Sequence, residues 1–377
     1  MIVHTVFVQN IVTPYRNRFF NKLVEKMNDF SVYYMGESEP DRNWDVSQFT
    51  MNYPYWIDNH GKYVKCRDFH AHINPRLVWK ILFNKSIKNV ILAVSWADPN
   101  IMAICFARKF HLTKKRLFFW AEANYTAEWA KKHNSKFKWW LKRQVFSSID
   151  GAMIIPGRMS EISFEKWGIQ LNKTIVNPNT IDDSSLRYVN KNKNDNGIPH
   201  FIMPIRLIEH VKGAINFFKA IGTDNIKQAI FHVAGDGEDR DLYLSFIQDN
   251  GLENSIIMEG FCDASRMSEL YNMADAMVLP SFSDPSPLSV VEALFFHLPI
   301  LCSDHCGNHY EAVEYGKNGY TFSPLNTKEI KETFELFMSR RQNWAEMGSR
   351  SASIYNDLFE TERVIDRFVS QFEIMRQ

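Results

Sequence analysis

Long hydrophobic runs are missing from this sequence. The longest apolar stretch, Asn89 to Ala107, is broken by Asp98-Pro99, and no segment reaches the ~20 apolar residues a membrane-spanning helix needs. Met1 to Val8 has neither a basic flank nor a cleavage-like site, so no secretory leader is expected. Cysteine is scarce and odd in number, with five residues at irregular spacing (66, 105, 262, 302, 306). That argues against a disulfide framework and for a reducing compartment. There is no internal repeat of short fixed period and no low-complexity tract.

Large apolar side chains are plentiful. With 377 residues, 45% of them hydrophobic and 29 of them Phe, the chain can fill two cores, so two domains are expected. The net charge of +1 hides an asymmetry: residues 1–183 carry 26 Lys+Arg against 16 Asp+Glu, and the remainder 18 against 27. A basic first half suggests an anionic partner, whether a membrane surface, a phosphate-bearing acceptor or nucleic acid. Opposite charges that help the two halves dock are the alternative.

The opening reads as β-loop-α-β. Ile2 to Val8 is a continuous apolar run of the buried parallel-strand kind, followed by a polar loop, Gln9 to Arg16. A helix follows with Phe19, Phe20, Leu23 and Met27 on one stripe, then a strand at Ser31 to Met35. Such sheets bind ligands at the carboxyl ends of their strands. That places Asn10, Thr13, Tyr15 and Arg16 at a candidate site, against the simpler reading of a capped helix start with a solvated Arg. Asp41 to Phe69 is aromatic-rich and irregular and reads as an insertion. Further strands are expected at Val90 to Val94 and Arg116 to Trp120. Glu122 stands past the second of these, either as a hydroxyl-binding carboxylate or as an ordinary ion-pair partner.

Trp129 to Arg143, WAKKHNSKFKWWLKR, interleaves basic and aromatic residues. It predicts a helix suited to lie in a membrane interface. An ordinary surface helix with its aromatics in the core, or a nucleic-acid contact, are the alternatives, and no recognised nucleic-acid module accompanies the charges. Gly151 to Pro156 and Thr174 to Asn179 predict the last strands of the first half. Asn190 to Pro199 reads as a loop.

The chain is organised around Pro280 to Ala293, PSFSDPSPLSVVEA. A strand-like run, Ala276 to Leu279, precedes it. Leu288 to Phe296 predicts a helix with Leu288, Val291, Leu294 and Phe295 on one stripe. Ser286, Pro287 and Ser289 mark its start, Pro for the first turn and Ser as a cap. Asp284 then lies in the loop and Glu292 about a turn inside the helix. An anion seat at a helix N-terminus, flanked by two carboxylates, suits a ligand that is part phosphate and part polyol, such as a nucleotide sugar. Two further strand ends match this picture: Arg206 and Lys212 after His200 to Pro204, and Gly235-Asp236-Gly237 after Ala229 to Ala234. A third, Gly260-Phe261 after Ile256 to Met258, reads on its own better as a turn with a buried Phe. Cys302, His305, Cys306 and His309 tempt a zinc reading, but the spacing does not match the common pairs.

Together these residues resemble the retaining family 4 glycosyltransferases. Asp284 and Glu292, eight apart, look like the paired carboxylates of that family. Arg206-Leu207 with Lys212-Gly213 resembles its phosphate clamp, Gly235-Asp236-Gly237 its glycine turn, Gly260-Phe261 the turn beside the base, and Thr13-Pro14-Tyr15-Arg16 an amino-terminal loop. The likeness is good over roughly 200–325 and loose before it. Asp284 stands where the family has Glu, Ser286-Pro287 where it has Phe-Gly, and Ile205 where it has Gly.

The resemblance implies a GT-B architecture, two doubly wound Rossmann-like α/β domains facing a cleft. Residues 1–183 would form the acceptor domain and 184–359 the donor domain, with a last helix around 360–377 crossing back. It implies a retaining, hexosyltransferase-type enzyme with Arg206, Lys212, Asp284 and Glu292 at the reacting end. Gly235, Gly237, Gly260, Phe261, Ser286, Leu288 and Ser289 would hold the donor, and Thr13, Tyr15, Arg16 and Glu122 the acceptor. The resemblance also implies that neither a metal nor another cofactor is needed. The expected partners are a nucleotide sugar (UDP-linked before GDP-linked), a glycan or lipid-linked glycan of bacterial polysaccharide or lipopolysaccharide assembly, and an anionic membrane reached from the cytoplasm through 129–143. A sugar-nucleotide epimerase or hydrolase, or a non-catalytic nucleotide-sugar-binding protein, remain alternatives.

Overall fold

Apolar runs without polar alternation become parallel strands covered on both faces. In the computed structural model, which describes residues 5–40, 46–66, 69–126, 136–189 and 197–376, they form two sheets. The first contains β1 (Thr5–Gln9), β2 (Phe30–Tyr34), β3 (Tyr55–Ile57), β6 (Asn89–Leu92), β7 (Arg116–Glu122), β8 (Gly151–Ile155) and β9 (Thr174–Val176). Their order is β3-β2-β1-β6-β7-β8-β9 and every pairing is parallel. The remaining strands of this half, β4 (Lys62–Cys66) and β5 (Phe69–Ile73), make a separate antiparallel pair. The aromatic segment expected to be an irregular insertion therefore supplies an edge strand and this pair. β3 is only three residues long and half-exposed, too short to show a period.

Helices α1 (Pro14–Lys26), α2 (Pro75–Phe83), α3 (Pro99–Lys109), α4 (Lys136–Phe146) and α5 (Arg158–Lys166) connect the first sheet. α1 leads from β1 to β2 in one direction along the sheet, and α2 to α5 serve β6 to β9 in the other. With right-handed crossovers they cover opposite faces. Leu77, Ile81, Ile101, Ile104, Val145 and Phe146 accordingly share one core, and Phe19, Phe20 and Leu23 another. Of the basic helix expected over 129–143, residues 129–135 lie outside the described ones. The rest is the first part of α4.

The second sheet contains β10 (His200–Pro204), β11 (Ile230–Ala234), β12 (Ile256–Gly260), β13 (Ala276–Leu279), β14 (Ile300–Ser303) and β15 (Gly319–Phe322), in the order β12-β11-β10-β13-β14-β15, all parallel. It is flanked by α6 (Ala214–Ile221), α7 (Arg240–Asp249), α8 (Ala264–Met273), α9 (Leu288–Phe295), α10 (Thr327–Ser339) and α11 (Trp344–Ile354). The last helix, α12 (Thr361–Met375), returns to the first domain. Its Phe368 stacks on Trp120 at 6.2 Å and its Phe372 meets Phe118 edge-on at 5.3 Å. No helix among the described residues is long and apolar enough to cross a membrane.

Each sheet reverses its winding direction once. β1 lies between β2 and β6, and β10 between β11 and β13. A crevice opens at the carboxyl end of such a pair, because the two connections leave in opposite directions. The loops at those points are Asn10–Thr13 with Ala93–Asp98, and Ile205–Lys212 with Pro280–Pro287. The candidate site residues lie on or beside these loops.

Candidate functional site

In the second domain the reversal brings Lys212 against Asp284. Lys212 ends a single helical turn, Glu209–Lys212, which Gly213 closes at φ 62°. A Cβ on Gly213 would stand 2.9 Å from the Phe282 ring, so glycine lets this turn close against the 280–284 loop. The Lys212 Nζ meets Asp284 Oδ2 at 2.5 Å, and both side chains are largely covered. Arg206 follows β10 and is exposed, so its guanidinium is available to a ligand.

Helix α9 starts differently from the expectation. Neither Ser286 nor Ser289 caps it. The N-cap position is Pro287, which makes no side-chain capping bond. Pro287 is held instead from behind, its carbonyl accepting from Asn308 Nδ2 at 2.9 Å. Ser286 Oγ accepts from Asn179 Nδ2 at 3.2 Å. The first-turn N–H groups therefore have no capping side chain, and an anion can take that role. Glu292 lies inside the helix, where the Tyr271 hydroxyl donates to its Oε2 at 2.6 Å. Burial pushes the Glu292 carboxyl above its ordinary pKa, partly offset by the Tyr271 bond, and burial pushes the Tyr271 phenol well up.

The glycine turn packs loop on loop. A Cβ on Gly235 would stand 1.9 Å from Ile205 O, and one on Gly237 2.5 Å from Leu207 O. These glycines thus brace the loop that carries Arg206. Gly260, at φ 69°, has open space where a Cβ would be. Phe261 is 70% exposed, which removes the buried-Phe reading of that turn. Leu288 packs on the core while Ser289 stays half-exposed at the mouth of α9.

In the first domain the reversal opens a cleft of about 710 Å³ lined by Gln9, Thr13, Tyr15, Arg16 and Glu122, among others, with Pro285 reaching in from the second domain. Arg16 is buried rather than solvated. Its guanidinium lies 3.9 Å over the Trp120 ring and 3.6 Å from Glu122 Oε1. Thr13 occupies the N-cap position of α1 without capping it, and its Oγ1, like Gln9 Nε2, is buried with no hydrogen-bond partner. Unpaired buried polar atoms are costly, and ones that line a cleft are donors and acceptors ready for a ligand.

Two residues escaped the sequence reading. Asn179 Nδ2 donates both to Glu122 Oε1 at 2.8 Å and to Ser286 Oγ. Asn124 Nδ2 donates to His305 O at 3.0 Å and reaches Asp284 O at 3.4 Å. Both cross from the first domain to the loop that carries Asp284. Their partners in the second domain are more than a hundred positions away, so the only available signal was an Asn at or just past the end of a predicted strand.

The side chains of the zinc reading bond groups of the second domain. His305 Nδ1 and His309 Nδ1 bond the carbonyls of Phe282 and Cys306, both at 2.8 Å. The Cys306 neighbour and burial together push the Cys302 thiol well up, away from thiolate. No metal-holding cluster occurs among the described residues.

A third crossing involves Glu311, whose Oε1 accepts from Arg158 N at the start of α5 at 2.7 Å. Burial raises this carboxyl from 4.5 to about 6. A carboxyl with a higher pKa in the fold than in the open chain holds its proton more tightly when folded. Its contribution is therefore full below about pH 4.5 and is lost as pH rises through about 6. Glu311→Gln keeps the acceptor oxygen and cannot ionise. It should gain roughly 1 kcal/mol on the parent between pH 5 and pH 8, read by chemical denaturation at both. An unchanged difference would refute the buried, titrating carboxyl.

Comparison with known proteins agrees with this architecture. Residues 187–353 match the family described as glycosyl transferases group 1. The poly(ribitol-phosphate) alpha-N-acetylglucosaminyltransferase of Staphylococcus aureus is 22% identical over 144 residues, 38% of this chain and 28% of that protein. The chain thus spans well under half the length of that curated relative. Among solved structures, Anabaena HepE in complex with UDP superposes with a TM-score of 0.73 at 15% identity, covering 98% of this chain and 100% of the other. The lipopolysaccharide outer core galactosyltransferase WaaB superposes at 0.71 and 13%, covering 98% and 99%. From end to end the chain has the GT-B fold, and residues 187–353 of its second domain match the glycosyl transferases group 1.

Proposed function

We propose that this protein moves a sugar, with retention at the anomeric carbon, from a nucleotide donor to a glycan or lipid-linked glycan of a bacterial surface polysaccharide. UDP-sugars are the favoured donors. The observation that carries the reading is the Lys212–Asp284 pair at 2.5 Å, set beside exposed Arg206 and the uncapped start of α9 at one switch point. As the bond from sugar to diphosphate breaks, negative charge grows on the phosphate oxygens. Lys212, already fixed by Asp284, the Arg206 guanidinium and the helix N-terminus stabilise it, and need no metal to do so. Asp284 lies against the sugar and orients Lys212. Glu292, with Oε2 held by Tyr271, offers Oε1 to the ribose hydroxyls, and exposed Phe261 offers a face to the base. The acceptor enters the first-domain cleft, where Glu122, Arg16 and the unpartnered Thr13 and Gln9 atoms meet its hydroxyls. HepE solved with UDP and the polymer named for the S. aureus relative support the donor and acceptor classes.

A ligand that binds only the folded form raises the melting temperature, by an amount set by its concentration over Kd. UDP at a hundredfold excess over its Kd should stabilise the protein by about 2.7 kcal/mol. Glu292→Ala should remove most of that shift. An equal shift in the variant would move the nucleotide away from α9. Release of sugar to water alone, over a panel of glycan acceptors, would replace transfer by hydrolysis.

A further inference from the structure

Helices α2, α3 and α4 lie in one layer over the first sheet. Their inner sides fill the core, and the outer side of such a layer is ordinarily polar. Here each helix carries a ring pair about one turn apart on its outer side. Trp79 and Phe83 are in contact on α2 at 4.0 Å, Phe106 and Phe110 at the end of α3 at 6.3 Å, and Phe137 and Trp140 on α4 at 5.8 Å. Trp79, Phe83, Phe110, Phe137 and Trp140, with Leu112 just past α3, are 53–78% exposed. The helices are neighbours: α2 packs on α3, and Lys109 at the end of α3 bonds Gln144 of α4.

The charge on this layer has one sign. None of the three helices contains an acidic residue. From Pro75 to Lys115 the single carboxylate is Asp98, which is buried capping α3 through the Asn100 and Ile101 N–H groups. Arg76, Lys85, Lys88, Lys114, Lys136 and Arg143 are exposed around the rings. A protein interface core is depleted of lysine, and a nucleic-acid site uses rings to line a groove for bases. A layer of exposed rings rimmed by lysine, with no exposed carboxylate in its helices, fits a bilayer interface. There the rings sit at headgroup depth and each cation gains from anionic lipid.

We infer that the outer face of α2, α3 and α4 docks on a bilayer of anionic phospholipid. The sequence pointed to one basic helix; the structure assigns a face of three, using described residues only. α4 also lines the cleft with Lys138 and Lys142 on its other side. It therefore sets the first-domain cleft beside the membrane surface, within reach of a lipid-borne substrate. The inference stands on this face alone and holds whether or not the transfer reading does.

The test is sedimentation of the full chain with vesicles of phosphatidylglycerol and phosphatidylcholine, against phosphatidylcholine alone. Binding should require the anionic lipid, weaken with salt, and bring quenching of tryptophan fluorescence by brominated lipid. The variant Trp79→Ala/Phe83→Ala/Phe137→Ala/Trp140→Ala should bind at least roughly tenfold more weakly, and Lys85→Glu/Lys88→Glu should lose most of the salt dependence. The melting temperature and its response to UDP, read separately, should stay as in the parent. No binding to anionic vesicles at low salt, or equal binding by the ring variant, overturns the inference. So does concentration-dependent self-association that the ring variant abolishes, which would mean a second copy covers the face, or displacement from vesicles by duplex DNA.

Discussion

Lys212→Ala is expected to slow sugar transfer by roughly 10²–10³-fold while the nucleoside diphosphate still binds. The argument starts from the ground state. Lys212 Nζ is held at 2.5 Å by Asp284, and the side chains of the pair are only 18% and 15% exposed. A lysine fixed before the donor arrives pays little ordering entropy when charge develops on the leaving phosphate. Such a fixed donor typically lowers the barrier by about 2.7–4 kcal/mol. Removing it also leaves the Asp284 carboxylate partly buried and unpaired, which destabilises the fold. The two effects separate by measurement. Lys212→Ala/Asp284→Asn removes both charges, so it should melt closer to the parent than Lys212→Ala while remaining as slow. Arg206→Ala, at an exposed position, should reduce turnover with little change in melting. Near-parental turnover in a folded Lys212→Ala protein would sink the clamp.

Much of the framework was legible in the sequence because burial on both faces leaves an unmistakable mark. Val6-Phe7-Val8, Phe201-Ile202-Met203 and Met277-Val278-Leu279 are fully buried and read as strands on that ground. The loops after them carry the charged residues, so the switch points could be found without knowing the strand order. What failed to show had a physical reason in each case. Tyr55–Ile57 pairs at a sheet edge, half in water, with no period to detect. Phe261 is exposed, and a lone Phe after a turn is more often buried. The start of α9 carries the composition of a capped helix, yet Asn179 bonds the Ser286 hydroxyl and the N-cap position falls on Pro287, which has no capping group. Asn124 and Asn179 act across the domain interface, and local sequence holds no information about a partner loop folded from elsewhere in the chain. The layer of exposed rings was half legible: α4 announced itself by composition, but α2 and α3 join it only once the sheet order puts them side by side.

Gly235→Ala should be the most damaging single methyl group in the second domain, costing roughly 2–6 kcal/mol of stability and abolishing the UDP-dependent rise in melting temperature. Two terms add. Gly235 has φ 147°, a backbone state that strains any other residue by about 1–3 kcal/mol. Its added Cβ would also stand 1.9 Å from Ile205 O, and relief of such a clash by backbone shifts costs about 1–3 kcal/mol more. The shift cannot be absorbed locally. Ile205 N donates to Ala234 O at 3.0 Å, Leu207 N to Asp236 O at 3.1 Å, and Gly235 N to Gly260 O at 2.8 Å, so three strand ends are tied at this point. Moving the Ile205–Leu207 loop moves Arg206 with it. Gly260→Ala is the control: its φ of 69° carries the strain alone, with open space for the methyl, and should cost only about 1–2 kcal/mol. Denaturant unfolding of the two variants decides the matter. Equal losses would mean that conformation alone explains both glycines. A clear excess for Gly235 would mean that close approach of two loops is what the glycine turn is for, and that the site's cations are positioned by backbone packing as much as by their own ion pair.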